Sequence, residues 1–182
     1  DFLYSERFAC VSCKASISEL EPRLFSFNSP QGACSSCTGI GTKLRIDLDT
    51  VMNTNLSVLE GGIFPWADIM EKETWFKRLL ISVADTEKID LSVPIGKLAD
   101  EKLNILLYGS GDKIYEVTGL NRFGKEVMFD ETFEGLINNL NRRYKETESE
   151  YIRNDIEKYM IKEHCDACIG TRLKDEAVGV II

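Results

Sequence analysis

Every cysteine in this chain of 182 residues belongs to a Cys-x-x-Cys pair. Two intervening residues allow both sulfur atoms of a pair to face one tetrahedral ion, and two such pairs complete a four-thiolate zinc site. The second and third pairs are each followed by a glycine turn. The spacing therefore predicts structural zinc, held by some or all of the pairs Cys10/Cys13, Cys34/Cys37 and Cys165/Cys168.

Other chemistries use the same spacing. A disulfide framework or a redox motif of the thioredoxin kind also contains Cys-x-x-Cys, but oxidised frameworks belong to secreted chains. No secretory signal precedes Cys10. A nucleophilic Cys10 with His164 as its base is disfavoured, because a metal-bound thiolate cannot attack a substrate. We therefore expect zinc rather than disulfides or thiol catalysis.

Charge limits the classes of function. The chain has 22 basic and 30 acidic residues, a formal net charge of −8, which disfavours a general nucleic-acid-binding surface. The acidity is uneven, since residues 47–96 hold 4 basic and 9 acidic side chains. No apolar run approaches the roughly 20 residues that cross a bilayer, so we expect no membrane partner.

The apolar pattern predicts an α+β protein, and if the second and third cysteine pairs share one ion, the stretch between them is an inserted domain. Residues 1–46 and 160–182 are expected to form a small zinc-knuckle flank, and residues 47–159 a mixed α/β domain between its two parts. Leu24 to Phe27 and Val178 to Ile182 are typical of short strands. The strand-like apolar residues at which the chain begins and ends suggest a piece of a longer protein. The elements expected are a strand over 43–47, helices over 72–84 and 98–107, and a hairpin over 114–129. A further helix is expected over 133–144, capped by Asp130 or Thr132. The last helix has its apolar positions over 152–160 and begins near Thr147 or Ser149.

Ordered strings along essentially the whole chain carry a resemblance to a known family. They are Cys10–Cys13, Glu19–Pro30, Gly32–Cys37, Leu107–Gly111, Phe133–Gly135, Arg142–Ser149 and Cys165–Leu173. The chain resembles UvrA, the damage-recognition ATPase of the bacterial UvrABC excinuclease. This resemblance implies a piece of the first ATP-binding-cassette half, whose zinc-stapled insertion domain helps hold or position duplex DNA during nucleotide excision repair.

The resemblance also implies properties of a longer protein. These are ATP hydrolysis, recognition of damaged double-stranded DNA, loading of UvrB, homodimerisation and location in the bacterial cytoplasm. The chain itself contains no G-x-x-x-x-G-K-[ST] loop and no Ser-Gly-Gly signature. Gly109 to Lys113 has the wrong spacing for a phosphate loop and predicts a hairpin turn. We therefore expect no catalysis by the chain itself.

Three cysteine pairs leave the choice of ligands open. The second half of UvrA resembles this region but lacks the first pair, which implies that Cys34, Cys37, Cys165 and Cys168 share one ion. Cys10 and Cys13 would then belong to a second site, incomplete in this chain. The alternative joins Cys10 and Cys13 with Cys34 and Cys37, which has the more usual sequence spacing. His164 adjoins Cys165 and competes weakly as a ligand.

Candidate DNA contacts lie in the predicted insertion. Basic side chains neutralise phosphates, which favours the residues at a helix end and at the hairpin tip. Basic residues alternate with glutamates at this helix end, so local ion pairs explain the basic residues equally well. The candidates are Arg142, Arg143 and Lys145 at the helix end, and Arg122 and Lys125 at the hairpin tip.

Two further interpretations remain. Phe64, Trp66 and Trp75 lie in the acidic segment, and exposed aromatic side chains there would suit a protein-interaction module for UvrB or a second protomer. A buried core is the commoner place for Trp75, and the position of Trp66 is less certain. Gln31 follows a turn that the resemblance places in a nucleotide-sensing segment, although a plain turn is the simpler interpretation.

Overall fold

A computed structural model describes residues 20–120 and 125–180 of the chain. These residues form two compact units, one built from the segments up to Arg45 and from Lys162 onward, and one from Ile46–Ile161. Cys10, Cys13 and Arg122 lie outside the described residues. No described helix is both long and apolar enough to cross a membrane.

The described part of the chain contains seven α-helices, four strands and three 3₁₀ turns, so the predicted α+β class is confirmed. The helices and strands, in chain order, are β1 (Thr42–Ile46), α1 (Leu48–Val51), α2 (Ala67–Met70), α3 (Trp75–Glu87), α4 (Asp100–Tyr108), β2 (Ile114–Leu120), β3 (Glu126–Thr132), α5 (Leu136–Glu146), α6 (Glu150–Glu157), β4 (Met160–His164) and α7 (Asp175–Val178). The 3₁₀ turns are Pro22–Phe25, Phe64–Trp66 and Ile95–Lys97. Strands β1 and β4 form one two-stranded sheet, and β2 and β3 form the other.

The helix α3 organises the core of the second unit. Its side chains Leu79, Leu80 and Val83 recur at helical spacing and are at most 8% exposed. The Thr74 side chain caps its N-terminus, accepting a hydrogen bond from the Lys77 N–H at 3.1 Å. The helix ends at Lys88, which takes the left-handed conformation with φ 56°.

The β2–β3 hairpin packs along α3. Tyr115 and Val117 are each 1% exposed while their neighbours in β2 are exposed, which is the alternation of a half-buried strand. Val117 pairs with Phe129 across the hairpin. The Ser82 hydroxyl of α3 donates to the Glu116 carbonyl at 2.7 Å, so the helix covers the outer edge of β2.

A close backbone crossing joins the end of α4 to the start of α5. Gly109 ends α4 with φ 84°, and Gly135 precedes α5 with φ 77°. A Cβ at Gly135 would lie 2.6 Å from the Tyr108 carbonyl carbon and 2.8 Å from the Leu107 oxygen. Both positions therefore require glycine, through conformation and through space.

Several predicted elements are wrong in detail. Asp130 and Thr132 lie within β3 rather than capping α5, and Met160 begins β4 rather than ending a helix. The Leu24–Phe25 segment is a 3₁₀ turn, and residues up to Val178 form a helical turn instead of a strand. The Gly109 to Lys113 segment joins α4 to β2, so it is a turn but not that of a hairpin.

Trp75 does not lie in the core as expected, and Trp66, whose position the sequence left uncertain, is buried. Trp66 is 3% exposed, and its ring lies 5.4 Å from that of Phe76 and 6.3 Å from that of Phe133. Trp75 is 38% exposed and stands edge-on to Phe129 with ring centroids 5.2 Å apart. The core of the second unit is thus built on Trp66, and Trp75 lies at its margin.

Candidate functional site

Four cysteine side chains meet in the first unit. The sulfur atoms of Cys34, Cys37, Cys165 and Cys168 all lie within 4.8 Å of one another, and together they form a buried cluster of their own. Their exposed fractions do not exceed 5%. Four buried thiols that converge on one centre are the donor set of a structural metal site.

The two knuckles are built alike. Thr38 and Gly39 have φ of 51° and 80°, and Ile169 and Gly170 have φ of 49° and 86°. The carbonyl that precedes each turn accepts from an N–H three residues on, at 3.0 Å for Cys37 and 2.9 Å for Cys168. The glycine turns visible in the sequence therefore wrap each pair around one centre.

Backbone hydrogen bonds hold the two knuckles together. The Cys34 N–H donates to the Arg172 carbonyl at 2.9 Å, and the Cys165 N–H donates to the Gly41 carbonyl at 2.9 Å. Ala33 and Leu173 form an antiparallel bridge beside them. The arrangement of the sulfur atoms is thus fixed by the backbone and does not depend on side-chain contacts alone.

The sulfur separations fit a tetrahedral ion. The Sγ atoms of Cys37 and Cys168 are 3.7 Å apart, whereas a disulfide would bring them to about 2.05 Å. Zinc–sulfur bonds of about 2.3 Å in a tetrahedron place two sulfur atoms about 3.8 Å apart. The four residues therefore suit Zn²⁺ without rearrangement of the backbone.

Local hydrogen bonds favour thiolates in this cluster. The Cys168 N–H lowers the pKa of the Cys165 thiol, burial opposes it, and the Ala167 N–H helps to bring that pKa to about 7. Burial raises the pKa of Cys37, but the Gly41 N–H, 3.2 Å from its sulfur, together with the Cys168 and Cys34 thiols, outweighs burial and leaves the pKa below its ordinary value. Burial raises the pKa of the Cys168 thiol. Metals bind the thiolate, so the lowered pKa values of Cys37 and Cys165 favour binding and the raised pKa of Cys168 opposes it.

Charged side chains of the first unit lie near the cluster. Lys43 Nζ donates to Asp166 Oδ1 at 2.8 Å. Asp166 raises the pKa of Lys43 most, with smaller contributions from the Cys165 and Cys34 thiols. A cation near the sulfur atoms offsets part of the charge that four thiolates and one divalent ion carry. Sequence reasoning missed this pair because no spacing rule connects positions 43 and 166.

The remaining candidates of the first unit lie outside the cluster. His164 is exposed and is not among the ligand atoms that the described residues bring together. Gln31 Oε1 accepts from the Ser29 hydroxyl at 2.6 Å, within the turn that contains both residues. Its nucleotide-sensing role stays a prediction.

Arg142 of α5 is held by carboxylates. Its Nη2 and Nε atoms donate to the two oxygens of Glu134 at 2.7 and 3.0 Å, and its Nη1 donates to Glu146 at 3.0 Å. Arg143 and Lys145 are exposed, and neither forms an ion pair within the described part of the chain. Lys125 is exposed and directly precedes β3. The two arginines at the end of α5 thus differ: Arg142 is held in ion pairs within the fold, and Arg143 is available to a ligand.

Comparisons with known proteins match the whole chain to UvrA proteins. A family model described as the UvrA DNA-binding domain matches residues 47–158. UvrABC system protein A of Clostridium tetani is 46% identical over 185 residues, and its counterpart in Bacillus subtilis is 44% identical over 183. The alignments cover 100% of this chain but only 20% and 19% of those proteins, so the chain spans about a fifth of their length.

A solved structure shares the fold. The crystal structure of UvrA2 from Deinococcus radiodurans matches with a TM-score of 0.69 and covers 98% of this chain and 22% of that one. The two sequences are 23% identical over the match. At this identity the likeness concerns the fold alone.

Proposed function

Because the chain belongs to the UvrA DNA-binding domain family, we propose that its second unit binds duplex DNA in nucleotide excision repair. The proposal is supported by the agreement between the boundaries of the family match and those of the second unit. The family match covers residues 47–158, and the compact unit covers Ile46–Ile161. A DNA-binding function thus corresponds to a unit with its own core, inserted in sequence between the two segments of the first unit.

The four-cysteine cluster is proposed to hold structural zinc. Four thiolates fill a tetrahedral shell and leave no position for a water or substrate, so the ion would stabilise and not catalyse. Cys34, Cys37, Cys165 and Cys168 are its proposed ligands, and the backbone bonds between the knuckles support that set. The ion would join segments on either side of the inserted unit.

The DNA contacts are proposed to involve basic side chains of the inserted segment. Arg143 and Lys145 at the end of α5 are exposed and suit this role, together with Arg122 and Lys125, which the sequence predicts at the hairpin tip. Arg142 is a weaker candidate, because its guanidinium already pairs with the carboxylates of Glu134 and Glu146. Basic groups that release counterions from phosphates give DNA binding a steep salt dependence.

The longer protein would supply the remaining steps. We propose that it hydrolyses ATP, forms a homodimer, recognises damaged duplex DNA and loads UvrB in the bacterial cytoplasm. The chain itself would contribute binding and no catalysis. Its Gln31 would lie in the segment that responds to the nucleotide.

A specific observation favours protein interaction as a second candidate. Trp75 and Phe129 form an aromatic pair that is 38% and 50% exposed, and Phe64 is 43% exposed. Exposed aromatic side chains are enriched at interfaces. Capture of UvrB by the purified chain, abolished by Trp75→Ala, would favour this function over DNA binding.

The experiment that tests the proposed function is a salt titration of duplex binding by the purified chain. Undamaged duplex and duplex with one bulky adduct are compared over a range of salt concentrations. We expect binding whose logarithm falls linearly with the logarithm of salt concentration. Absence of measurable binding at low salt would contradict the proposed function.

A further inference from the structure

The side chain of Arg78 in α3 occupies the space beside Gly119 of the hairpin, which has no side chain of its own. The Arg78 Nη1 atom lies where a Cβ at Gly119 would be placed, and its Cζ and Cδ atoms lie 3.4 and 3.6 Å from that point. Arg78 is half-buried. Gly119 does not have a positive φ, so its glycine is explained by the guanidinium that it accommodates and not by backbone conformation.

Arg78 has no carboxylate partner among the described residues, unlike its helix neighbour and a lysine at the start of the hairpin. Its helix neighbour Lys77 pairs with Glu73 at 3.1 Å, and Lys113 pairs with Glu87 at 2.6 Å. The segment 46–161 contains 14 basic and 22 acidic residues, a net charge of −8. In such an acidic unit, an arginine that is positioned by packing and has no ion pair in the described residues keeps its charge available to an anion.

The register of the hairpin shows where along its length Arg78 lies. Gly119 pairs with Val127, two positions after Lys125, so Arg78 lies toward the hairpin tip. One helical turn earlier, Trp75 contacts Phe129. The N-terminal half of α3 and the tip half of the hairpin thus present a half-buried cation beside an exposed aromatic pair.

The groove along α3 is asymmetric in charge. Arg78 lines it together with the acidic Asp85 and Glu116, and the groove has a volume of about 310 Å³. Asp85 lies seven residues after Arg78, which corresponds to about 10 Å along the helix axis. An anion is therefore attracted at the Gly119 end and repelled at the other end.

We infer that Arg78 contacts a phosphate of the bound DNA backbone, and that Gly119 positions its guanidinium for this contact. This inference rests on the proposed function and specifies where in the second unit a DNA strand lies. Arginine presents a planar fork of donors that matches a phosphate, and packing against a strand reduces the entropy lost on binding. The strand would then pass the Gly119 end of the groove and not its acidic end.

The test compares two changes that remove the contact in different ways. Arg78→Ala removes the charge, whereas Gly119→Ala keeps the charge and displaces the guanidinium, the flexible end of a side chain. The control is Lys88→Gln, which removes one charge from an exposed residue at the opposite end of α3. Binding of all variants to undamaged duplex is titrated with salt, and thermal unfolding is followed to confirm that each variant folds.

The expected result is a loss of about one unit in the slope of log affinity against log salt for Arg78→Ala. Gly119→Ala should weaken binding as well, and the double variant should be no weaker than Arg78→Ala, because both changes remove one interaction. Equal slopes for Arg78→Ala and Lys88→Gln would overturn the assignment while leaving the proposed function intact. No binding by the unchanged chain would overturn both.

Discussion

The sulfur atoms of Cys37 and Cys168 lie 3.7 Å apart although 131 positions separate the residues in the chain. This proximity is supported on both sides by backbone bonds, from Cys34 to Arg172 and from Cys165 to Gly41. The segment between them contains the whole second unit, Ile46–Ile161. A metal held by these thiolates would therefore constrain both ends of the segment that matches the DNA-binding family.

The glycine crossing between α4 and α5 predicts a strong substitution effect. Gly135→Ala should lower the free energy of unfolding by about 3 kcal/mol, since a positive φ and backbone crowding act together. Gly111→Ala is the matched control, because Gly111 has φ 66° but nothing within 4 Å of its Cβ position. It should cost only about 1 kcal/mol. Urea denaturation measures both, and equal losses would contradict the crowding argument.

The Glu134–Arg142 pair predicts a pH dependence. Arg142 lowers the pKa of Glu134, burial opposes it and Asn139 assists, so the folded-state pKa lies below the ordinary value of 4.5. The stabilisation is then complete above the ordinary value and is lost as pH falls through the folded-state pKa. Because the pair is partly exposed, we expect less than about 1 kcal/mol.

Thermal unfolding of Glu134→Gln at several pH values checks this prediction. The difference in stability from the unchanged chain should be largest near neutral pH and should shrink in acid. Glu148→Gln, which alters an exposed residue without an ion pair in the described segments, should show no such trend. A constant difference at every pH would exclude the pair as its source.

The end of α5 predicts that neighbouring arginines have separable roles. Arg142→Ala should reduce thermal stability, because Glu134 and Glu146 lose their shared partner. The double change Arg143→Ala and Lys145→Ala should leave stability almost unchanged and lower the salt slope of duplex binding by up to about two units. The reverse assignment of effects would show that Arg142 is the DNA ligand.

Sequence reasoning succeeded where the signal was local. The x-Gly turns after Cys37 and Cys168 predicted knuckles, and the apolar spacing of Leu79, Leu80 and Val83 predicted α3 within three residues at each end. It failed where tertiary packing decides. Helical spacing could not show that Trp75 lies at the margin of the core, nor that α5 follows a positive-φ glycine in place of a polar cap.

The candidate site divides in the same way. Cysteine spacing predicted candidate donor atoms, the resemblance implied that Cys34 and Cys37 share an ion with Cys165 and Cys168, and the fold brings these four together. That they hold zinc stays a prediction. The contact between Arg78 and Gly119 depends on how α3 packs on β2, and a lone glycine in a predicted strand was its sole trace in the sequence.

The metal content of the purified chain tests the account most directly. Elemental analysis by mass spectrometry compares the unchanged chain with Cys165→Ser and with His164→Ala, an exposed neighbour as the control. We expect bound zinc in the unchanged chain, its retention in His164→Ala, and loss of one ion per chain together with reduced stability in Cys165→Ser. Unchanged zinc in Cys165→Ser, or no metal in the unchanged chain and no effect of a strong chelator on its folding, would contradict the account.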